Sequence, residues 1–325
     1  MRRFNAISSC AALAAAVALL APAPVLAQQY PAKPVKIIVP FAPGGGTDFI
    51  ARFIAQQLSA SLGQQFIVEN KPAAGGLIGV ETGIRSAPDG YTLTLISNSY
   101  TANPSLYNLR FDPVADITPV IQISQGPLLV VVHPSLPVKS LAELIKTAKS
   151  KPQAIYFATT GQGSVNHLAI ELFASMAGFK LNHVPYKGTG PALTDTIAGQ
   201  TNAAFGAVAS TLPHVKAGRL RALAVTTTWR LAAAPQVPTI AESGVPGYEM
   251  TLWHGLIGPK GMPHAVVNRL NSEVTKTLTR PDTTEKLQSD GVSPVGGTPE
   301  QFLATIKKEI AVWRKVVNEV GVKVE

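Results

Sequence analysis

Residues 36–48 read KIIVPFAPGGGTD, a β-branched apolar run that ends in prolines, three glycines and then Thr47 and Asp48. The run is typical of a short buried strand, and the apolar residues after it recur at spacings of three and four, as on one face of a helix. Gly63 ends that helical pattern. Strand, glycine loop and helix in this order predict a βα unit whose loop lets a ligand approach the backbone closely.

The same alternation continues along the chain. Residues 65–69 and 92–96 are predicted strands separated by a helix at 75–86, and a second series of strands and helices runs through 128–226. Helical patterns close the chain at 265–278, 282–289 and 299–320. Strands that alternate with helices favour βαβ units. The predicted fold class is therefore α/β, with a mainly parallel sheet in each of two regions.

The two regions are not separated by a long linker rich in proline, serine and glycine. This indicates two domains joined by crossing segments, for which 125–127 and 247–249 are the candidates. We therefore predict a first domain made of residues 28–126 and 249–325 and a second domain made of residues 127–248.

The first 27 residues are predicted to be a cleaved secretory signal peptide. Arg2 and Arg3 precede an apolar segment at 11–20, and Val25-Leu26-Ala27 offers small residues before a cleavage site. Cleavage after Ala27 removes the single cysteine and two positive charges from a formal net charge of +9, which leaves +7. A cysteine-free mature chain suits an oxidising compartment outside the cytoplasm.

Composition excludes several classes of protein. With 46% hydrophobic and 14% charged residues the chain is not disordered. The basic residues are scattered among glutamates on helical faces, without interleaved aromatics, so a nucleic-acid partner is disfavoured. The histidines show no paired metal-ligand spacing, and neither a metal nor a cofactor is predicted. The positive net charge favours a small anionic ligand.

The glycine loop after the first strand is the first candidate binding site. The free N–H groups of the following helical turn carry partial positive charge and suit an anion, and Thr47 or Asp48 can cap that helix. The loop has the spacing of neither a P-loop nor a dinucleotide fingerprint. The candidate residues are Phe41, Pro43, Gly44, Gly45, Gly46, Thr47 and Asp48.

A second glycine loop, residues 159–167, also lies between a predicted strand and a predicted helix. We expect Ser164 to cap the helix and His167 to pack against it or brace the loop. An alternative is a secreted serine-type hydrolase with Ser164 as nucleophile and His167 as base. The Ser-x-x-His spacing on one helical turn and the lack of a G-x-S-x-G elbow argue against it. The candidate binding residues are Thr160, Gly161, Gly163, Ser164 and His167.

Further positions could line the same cleft, namely Ser97, Asn98, Tyr186, Gly206 and Ala207. Ligands of open α/β sheets bind beyond the carboxyl ends of the strands. If the two domains face each other there, the donors of both glycine loops converge on a carboxylate that domain closure captures. A further alternative is a structural or adhesive envelope protein, which would bind no carboxylate.

The mature chain resembles, over essentially its whole length, the substrate-binding proteins of tripartite tricarboxylate transporters, the Bug family of periplasmic receptors. The resemblance rests on residues 30–48, 69–76, 87–92, 161–173, 184–188 and 212–225 and on the terminal helix with Trp313. It implies a two-domain Venus-flytrap fold of the periplasmic-binding-protein type, with the ligand cleft between the domains and no enzymatic activity.

The resemblance also implies a ligand and partners. The loops at 44–48 and 161–164 would hold a carboxylate, largely through backbone groups and water, in a periplasmic monomer that serves inner-membrane transporter subunits. Family ligands include di- and tricarboxylates, acidic amino acids and aromatic acids. Many relatives carry an acidic or amide residue where this chain has Gly206-Ala207-Val208. The missing acceptor favours a carboxylate without an amino group, either a dicarboxylate or an aromatic acid.

Overall fold

The computed structural model describes residues 30–322 and 324 of the chain. The predicted signal peptide, residues 1–27, lies outside the described residues. The described strands are β1 (Val35–Val39), β2 (Phe66–Asn70), β3 (Thr92–Ser97), β4 (Ile117–Gly126), β5 (Leu128–Val132), β6 (Tyr156–Thr159), β7 (Asn182–Pro185), β8 (Ala203–Ala207), β9 (Arg221–Val225), β10 (Leu252–Pro259) and β11 (Ser293–Gly296). The helices are α1 (Gly46–Leu62), α2 (Leu77–Ile84), α3 (Asn98–Leu106), α4 (Leu141–Ser150), α5 (Val165–Ala177), α6 (Thr189–Ile197), α7 (Val208–Lys216), α8 (His264–Leu278), α9 (Pro281–Ser289) and α10 (Pro299–Val320).

The strands form two sheets. The first has the order β11-β4-β10-β3-β1-β2 and the second the order β7-β6-β8-β5-β9. We call the first sheet with α1–α3 and α8–α10 the first lobe, and the second sheet with α4–α7 the second lobe. The two-lobed α/β fold is the one that the sequence predicts.

Both sheets are mixed, whereas the sequence predicts mainly parallel sheets. Strand β1 is parallel to β2 and β3, but β10 is antiparallel to β3 and β4, and β11 to β4. In the second sheet β6 is parallel to β7 and β8, while β5 is antiparallel to β8 and β9. The reason is the path of the chain: β4 leads out of the first sheet into β5, and β9 leads back to β10. Strands that leave and return run in opposite directions.

Several elements have no counterpart in the sequence prediction. Strands β4, β10 and β11 and helix α3 lie in segments where polar residues, prolines or glycines interrupt any apolar period. Tertiary packing forms them instead, because Tyr100 of α3 is buried in a cluster with Trp253 of β10 and Phe302 of α10. Ser97 and Asn98, two of the predicted cleft residues, are the last residue of β3 and the first of α3.

The terminal helix α10 contacts the cores of both lobes. Phe302 and Ile306 in its first half belong to the first-lobe cluster, and Trp313 and Val317 in its second half belong to the second-lobe cluster. The helix begins with a capping box between Thr298 and Gln301. This helix therefore connects the lobes alongside the crossing strands. No helix within the described residues has both the length and the apolar character that crossing a membrane requires.

Candidate functional site

The two glycine loops lie at the carboxyl ends of β1 and β6, where the lobes meet. The Ala42 N–H donates to Lys187 O at 2.8 Å, the Val165 N–H donates to Ser99 Oγ at 3.0 Å, and Tyr107 Oη donates to Gln162 O at 2.9 Å. Each of these hydrogen bonds joins one lobe to the other. The structure is therefore a closed arrangement of the two lobes.

Glycine is required where the lobes approach each other. A Cβ atom on Gly46 would overlap the Cβ of Ala207, and one on Gly190 would overlap the carbonyl oxygen of Pro43. A Cβ atom on Gly163 would lie 2.7 Å from Tyr107 Oη, and the φ angle of +74° at Gly163 is itself unfavourable for other residues. Side chains at these positions would keep the cleft from closing.

Asp48 braces the first loop. Its carboxylate is 5% exposed and accepts hydrogen bonds from the Gly44 N–H at 3.1 Å, from Arg52 Nε at 2.9 Å and from Asn70 Nδ2 at 2.9 Å. Burial would raise the pKa of Asp48, but the hydrogen bonds from Arg52, Asn70 and Gly44 outweigh it and hold the pKa below its usual value. The carboxylate is thus ionised and already engaged.

Helix α1 begins without a side-chain cap. Its N-cap residue is Gly45, and the prediction that Thr47 or Asp48 caps the helix is wrong because both lie inside the first turn. The N–H groups of a first helical turn have no partner within the helix. Since Gly45, Gly46 and Thr47 line a cavity, donors of this turn are available to a ligand.

Helix α5 begins differently, because the N–H groups of Val165 and His167 in its first turn already have partners. Ser164 is the N-cap, as predicted, and its Oγ accepts from the His167 N–H at 3.3 Å and from Thr160 Oγ1 at 2.8 Å. His167 Nδ1 accepts from the Gly163 N–H at 3.2 Å, which is the predicted bracing role. With Nδ1 occupied in this way, His167 is not placed to act as a base for Ser164. The geometry gives no support to the hydrolase alternative.

Three side chains of the second lobe form a cluster that could in principle hold a metal. Ligand atoms of His167, Glu171 and His183 lie within 4.8 Å of one another, although the sequence spacing shows no such grouping. Because Nδ1 of His167 accepts from the Gly163 N–H, this ring could reach a metal through Nε2 alone, which lies 3.3 Å from Glu171 Oε1. The pKa of His183 is lowered by burial and further by His167, with Glu171 only partly opposing the shift.

Two cavities at the glycine loops are lined by residues of both lobes. The inner cavity has room for about 20 Å³ and the outer one for about 240 Å³, and Phe41 and Thr160 line both. The predicted residues that line the inner cavity are Phe41, Gly45, Gly46, Thr47, Asp48, Ser97, Thr160 and Ala207. Those that line the outer cavity are Phe41, Thr160, Gly161 and Tyr186. The inner cavity holds at most a water molecule, so only the outer one has space for a small organic acid as the structure stands.

The remaining predicted residues line neither of the two cavities: Pro43, Gly44, Asn98, Gly163, Ser164, His167 and Gly206. Asn98 holds α3 to β10 by accepting from the Trp253 N–H at 2.8 Å. A Cβ atom on Gly206 would meet Thr211 Oγ1 and not the cleft, so Ala207 is the residue of this segment that faces the ligand space.

Sequence reasoning missed part of both walls. Thr189 and Leu252 complete the inner cavity, together with Asn166 of the second glycine loop and with Ser99, which follows the predicted residues Ser97 and Asn98 as a further polar group. A third glycine loop, Ala73–Gly76 before α2, lines the outer cavity. That loop has the same local signature as the other two, namely glycines directly before a helix after a strand. The sequence signal for this loop was therefore present, whereas no local pattern connects Thr189 or Leu252 to the glycine loops.

Residues 50–322 match the family model described as the tripartite tricarboxylate transporter family receptor. Protein BugT of Bordetella pertussis (strain Tohama I) is 39% identical over 306 residues, which cover 93% of this chain and 94% of that protein. This is the family that the sequence motifs predict.

Solved structures of similar proteins carry small carboxylates. R. palustris Rpa4515 with adipate has a TM-score of 0.88 and 38% identity, and the match covers 90% of this chain and 99% of that chain. MatC (Rpa3494) from Rhodopseudomonas palustris with bound malate has a TM-score of 0.84 and 31% identity, and the match covers 89% of this chain and 100% of that one.

Proposed function

The chain belongs to the tripartite tricarboxylate transporter family of receptors, and from that premise we propose that its cleft captures a small carboxylate. It is a solute-binding receptor and not an enzyme. The observation that carries the proposal is the start of helix α1, where the helix has no side-chain cap and Gly45, Gly46 and Thr47 line the inner cavity. Backbone donors at a helix start suit a carboxylate, which accepts several hydrogen bonds. Because the inner cavity has room for a water molecule only, the body of the ligand would occupy the outer cavity and its carboxylate would reach the α1 donors through water.

The neutral side chains around this helix start support the same ligand class. Ser97, Ser99, Thr160 and Asn166 bring hydroxyl and amide groups to the inner cavity. Asp48 is the acidic residue there, and its charge is compensated by Arg52 at 2.9 Å. The carboxylate of a ligand therefore meets donors and not an uncompensated negative charge.

We propose that the ligand has no free amino group. Ala207 faces the inner cavity with a methyl group, so this segment supplies no side-chain acceptor for an ammonium. Among the described residues that line the inner cavity, Asp48 is the one with a carboxylate, and this carboxylate already accepts from Arg52, Asn70 and Gly44. A dicarboxylate or an aromatic acid fits these walls better than aspartate or glutamate, and the similar proteins with adipate and malate agree with that class.

The test is thermal unfolding of the mature protein with single acids. Ligand at about one hundred times its dissociation constant adds about 2.7 kcal/mol to the free energy of unfolding. In a protein of this size that raises the midpoint by several degrees, at about 2–4 °C per kcal/mol. We expect a shift with succinate, adipate, benzoate or terephthalate. A shift with aspartate and glutamate alone would refute the ligand class, and turnover of a generic ester would refute the receptor function.

Export, closure and delivery complete the proposal. We propose that the chain is exported by the signal peptide cleaved after Ala27 and acts in the periplasm as a monomer. The domains would be residues 28–126 with 249–325, and 127–248, closing about the segments at 125–127 and 247–249. The two sheets follow this division, since β4 ends at Gly126 and β5 begins at Leu128. The closed form would deliver the carboxylate to the membrane subunits of a tripartite transporter.

A further inference from the structure

Two buried asparagines on helix α3 differ in what their amides contact. Asn98 Nδ2 donates to Thr251 O at 3.0 Å and to Glu309 Oε2 at 3.2 Å, and Asn98 Oδ1 accepts from the Trp253 N–H. Asn103, five residues further along, is 1% exposed. Neither amide atom of Asn103 has a hydrogen-bond partner among residues 30–322 and 324.

The two amides therefore differ in their contribution to the fold. Asn98 fastens α3 to β10 and α10 with all of its polar atoms. The amide of Asn103 is withdrawn from water without compensation, which lowers the stability of the closed structure. An apolar residue of the same shape at position 103 would give a more stable protein. This indicates that Asn103 has a role other than stabilising the fold.

Asn103 lies where the ligand spaces meet. It lines a narrow void together with Phe41, Gly75 and Gly76, and this void has no room for a water molecule. The void shares Ser97 with the inner cavity and Gly75 and Gly76 with the outer cavity, and Phe41 lines all three. The Phe41 ring is therefore the partition between Asn103 and the ligand space.

The surroundings of Asn103 favour a second negative charge. The third glycine loop has left-handed φ angles of +46° at Ala74, +60° at Gly75 and +99° at Gly76. Gly76 is the N-cap of α2 and provides no side-chain cap. The N–H groups of Gly76 and Leu77 donate to Ala73 O and Ala74 O, so what the start of α2 offers a ligand is the partial positive charge of a helix N-terminus. Among the described residues that line the outer cavity, Lys187 is the charged one.

We propose that Asn103 and the loop Ala73–Gly76 bind the end of the ligand that is remote from helix α1, once the ligand displaces the Phe41 ring. Asn103 Nδ2 donates to a second carboxylate, Oδ1 accepts from a hydroxyl group or water admitted with it, and Lys187 adds positive charge. The inference rests on the proposed function and narrows it. The ligand is an elongated dicarboxylate and not a carboxylate with one polar end.

The test compares acids of equal length with one and two carboxylates. Dissociation constants are measured by calorimetry for succinate and butyrate, glutarate and pentanoate, and adipate and hexanoate, with the wild-type protein and with Asn103→Leu. For the dicarboxylate that binds best, we expect the substitution to weaken binding about ten-fold or more, as the loss of a hydrogen bond to a charged group does. The matching monocarboxylate should change by less than about two-fold, since it makes no such bond.

Thermal unfolding without ligand supplies the second readout. Asn103→Leu should keep or raise the unfolding midpoint, because it removes an uncompensated amide. The matched control Asn98→Leu on the same helix should lower the midpoint, because it breaks a complete set of hydrogen bonds. Asn103→Ala is the second variant if leucine does not fit, and it should lose the same preference for the dicarboxylate.

Three outcomes would overturn the inference. The first is an equal loss of affinity for both acids of a pair, and the second is wild-type affinity for the dicarboxylate in both Asn103 variants. The third is a wild-type protein that binds the monocarboxylates as tightly as the dicarboxylates. In each case the wild-type protein still binds a carboxylate, so the proposed function stands. If the wild-type protein binds none of the six acids, this inference fails, and the thermal screen with benzoate and terephthalate then decides whether the proposed function fails as well.

Discussion

The helices α1 and α5 both start at a glycine loop, but their first turns are satisfied in different ways. At α1 the N-cap is Gly45, and the carboxylate of Asp48 in the first turn holds the loop by accepting from the Gly44 N–H. At α5 the Oγ of Ser164 accepts from the His167 N–H, and Ser99 of the opposite lobe accepts from the Val165 N–H. The start of α1 therefore keeps backbone donors for a ligand, whereas two backbone donors at the start of α5 are already engaged by the protein.

This difference also relates closure to binding. The hydrogen bond from the Val165 N–H to Ser99 Oγ joins the two lobes, so it exists in the closed form and is lost when the lobes separate. The donors at α1, by contrast, are presented by one lobe in either form. We therefore expect ligand capture to begin on the first lobe and to be completed when the second lobe closes over the ligand, as in a hinged receptor.

The largest effect should follow from Gly163→Val, which places a side chain between the lobes. The new Cβ would lie 2.7 Å from Tyr107 Oη at a φ angle of +74°, so the variant combines a clash with strain of about 1–3 kcal/mol. We expect carboxylate binding to be abolished. Calorimetry with the best acid of the thermal screen measures this effect.

Gly218→Val is the matched control for that variant. Its φ angle of +70° gives similar strain, but no atom lies within 4 Å of the new Cβ. It should lower the unfolding midpoint and keep wild-type affinity. Equal affinity losses in the two variants would show that backbone strain, and not the approach of the lobes, limits binding.

A smaller effect is expected from Asp48→Asn, which weakens the brace of the first loop. The amide cannot accept as strongly as a carboxylate, and its NH₂ group would face the donors of Gly44 or Asn70. We expect the free energy of unfolding to fall by about 2–3 kcal/mol, as for a buried charged hydrogen-bond acceptor. The exposed pair of Lys286 and Asp290 provides the control, and Asp290→Asn should change little.

The difference in free energy of unfolding between the wild-type protein and Asp48→Asn should depend on pH, because the pKa of Asp48 is lowered. Its folded-state pKa lies below the usual value of 3.8, so its contribution to stability is fully present above about pH 4. The contribution is lost as the pH falls through the folded pKa. Denaturant titrations of wild type and Asp48→Asn should therefore converge at low pH. A constant difference down to pH 2 would show that the carboxylate is not the source of the effect.

The sequence predicts most helices and the strands β1–β3, β5, β6, β8 and β9, because these have regular apolar runs and glycine or proline boundaries. It does not predict β4 and β10, where polar residues face inward. His254 of β10 is buried, and its Nδ1 lies 3.1 Å from Ser124 Oγ of β4. Burial lowers the pKa of His254 to about 3, so the imidazole is neutral and compatible with the core. Such pairing depends on residues 130 positions apart, which a local pattern does not contain.

The same limit applies to the site. The first two glycine loops have a local signature and are predicted, and Ala73–Gly76 has that signature as well. The sequence suggests Ser99 only as a polar residue after β3 and does not suggest Asn103, because both belong to a helix without apolar periodicity that only tertiary packing forms. Their importance depends on what lies opposite them, which is the α5 start for Ser99 and the Phe41 partition for Asn103.

The smallest effect should come from Ser164→Ala, which removes the cap of α5 without adding bulk. Loss of an N-cap side chain lowers the free energy of unfolding by about 0.5–2 kcal/mol. Ser140 caps α4 in the same way, accepting from the Glu143 N–H at 3.2 Å, and it does not line the inner or outer cavity. Ser140→Ala should therefore cost a similar amount and leave affinity unchanged.

The comparison of Ser164→Ala with Ser140→Ala measures how much the start of α5 contributes to ligand affinity. Ser164→Ala should keep part of the carboxylate affinity, since the Val165 N–H still donates to Ser99 and the donors of α1 are untouched. Chemical denaturation and calorimetry on both variants give the two numbers. If Ser164 were a nucleophile, its loss would abolish an ester-hydrolysing activity while stability changed little. We expect the reverse, a stability loss close to that of Ser140→Ala with no hydrolysis to lose, because Ser164 Oγ already accepts from the His167 N–H and Thr160 Oγ1.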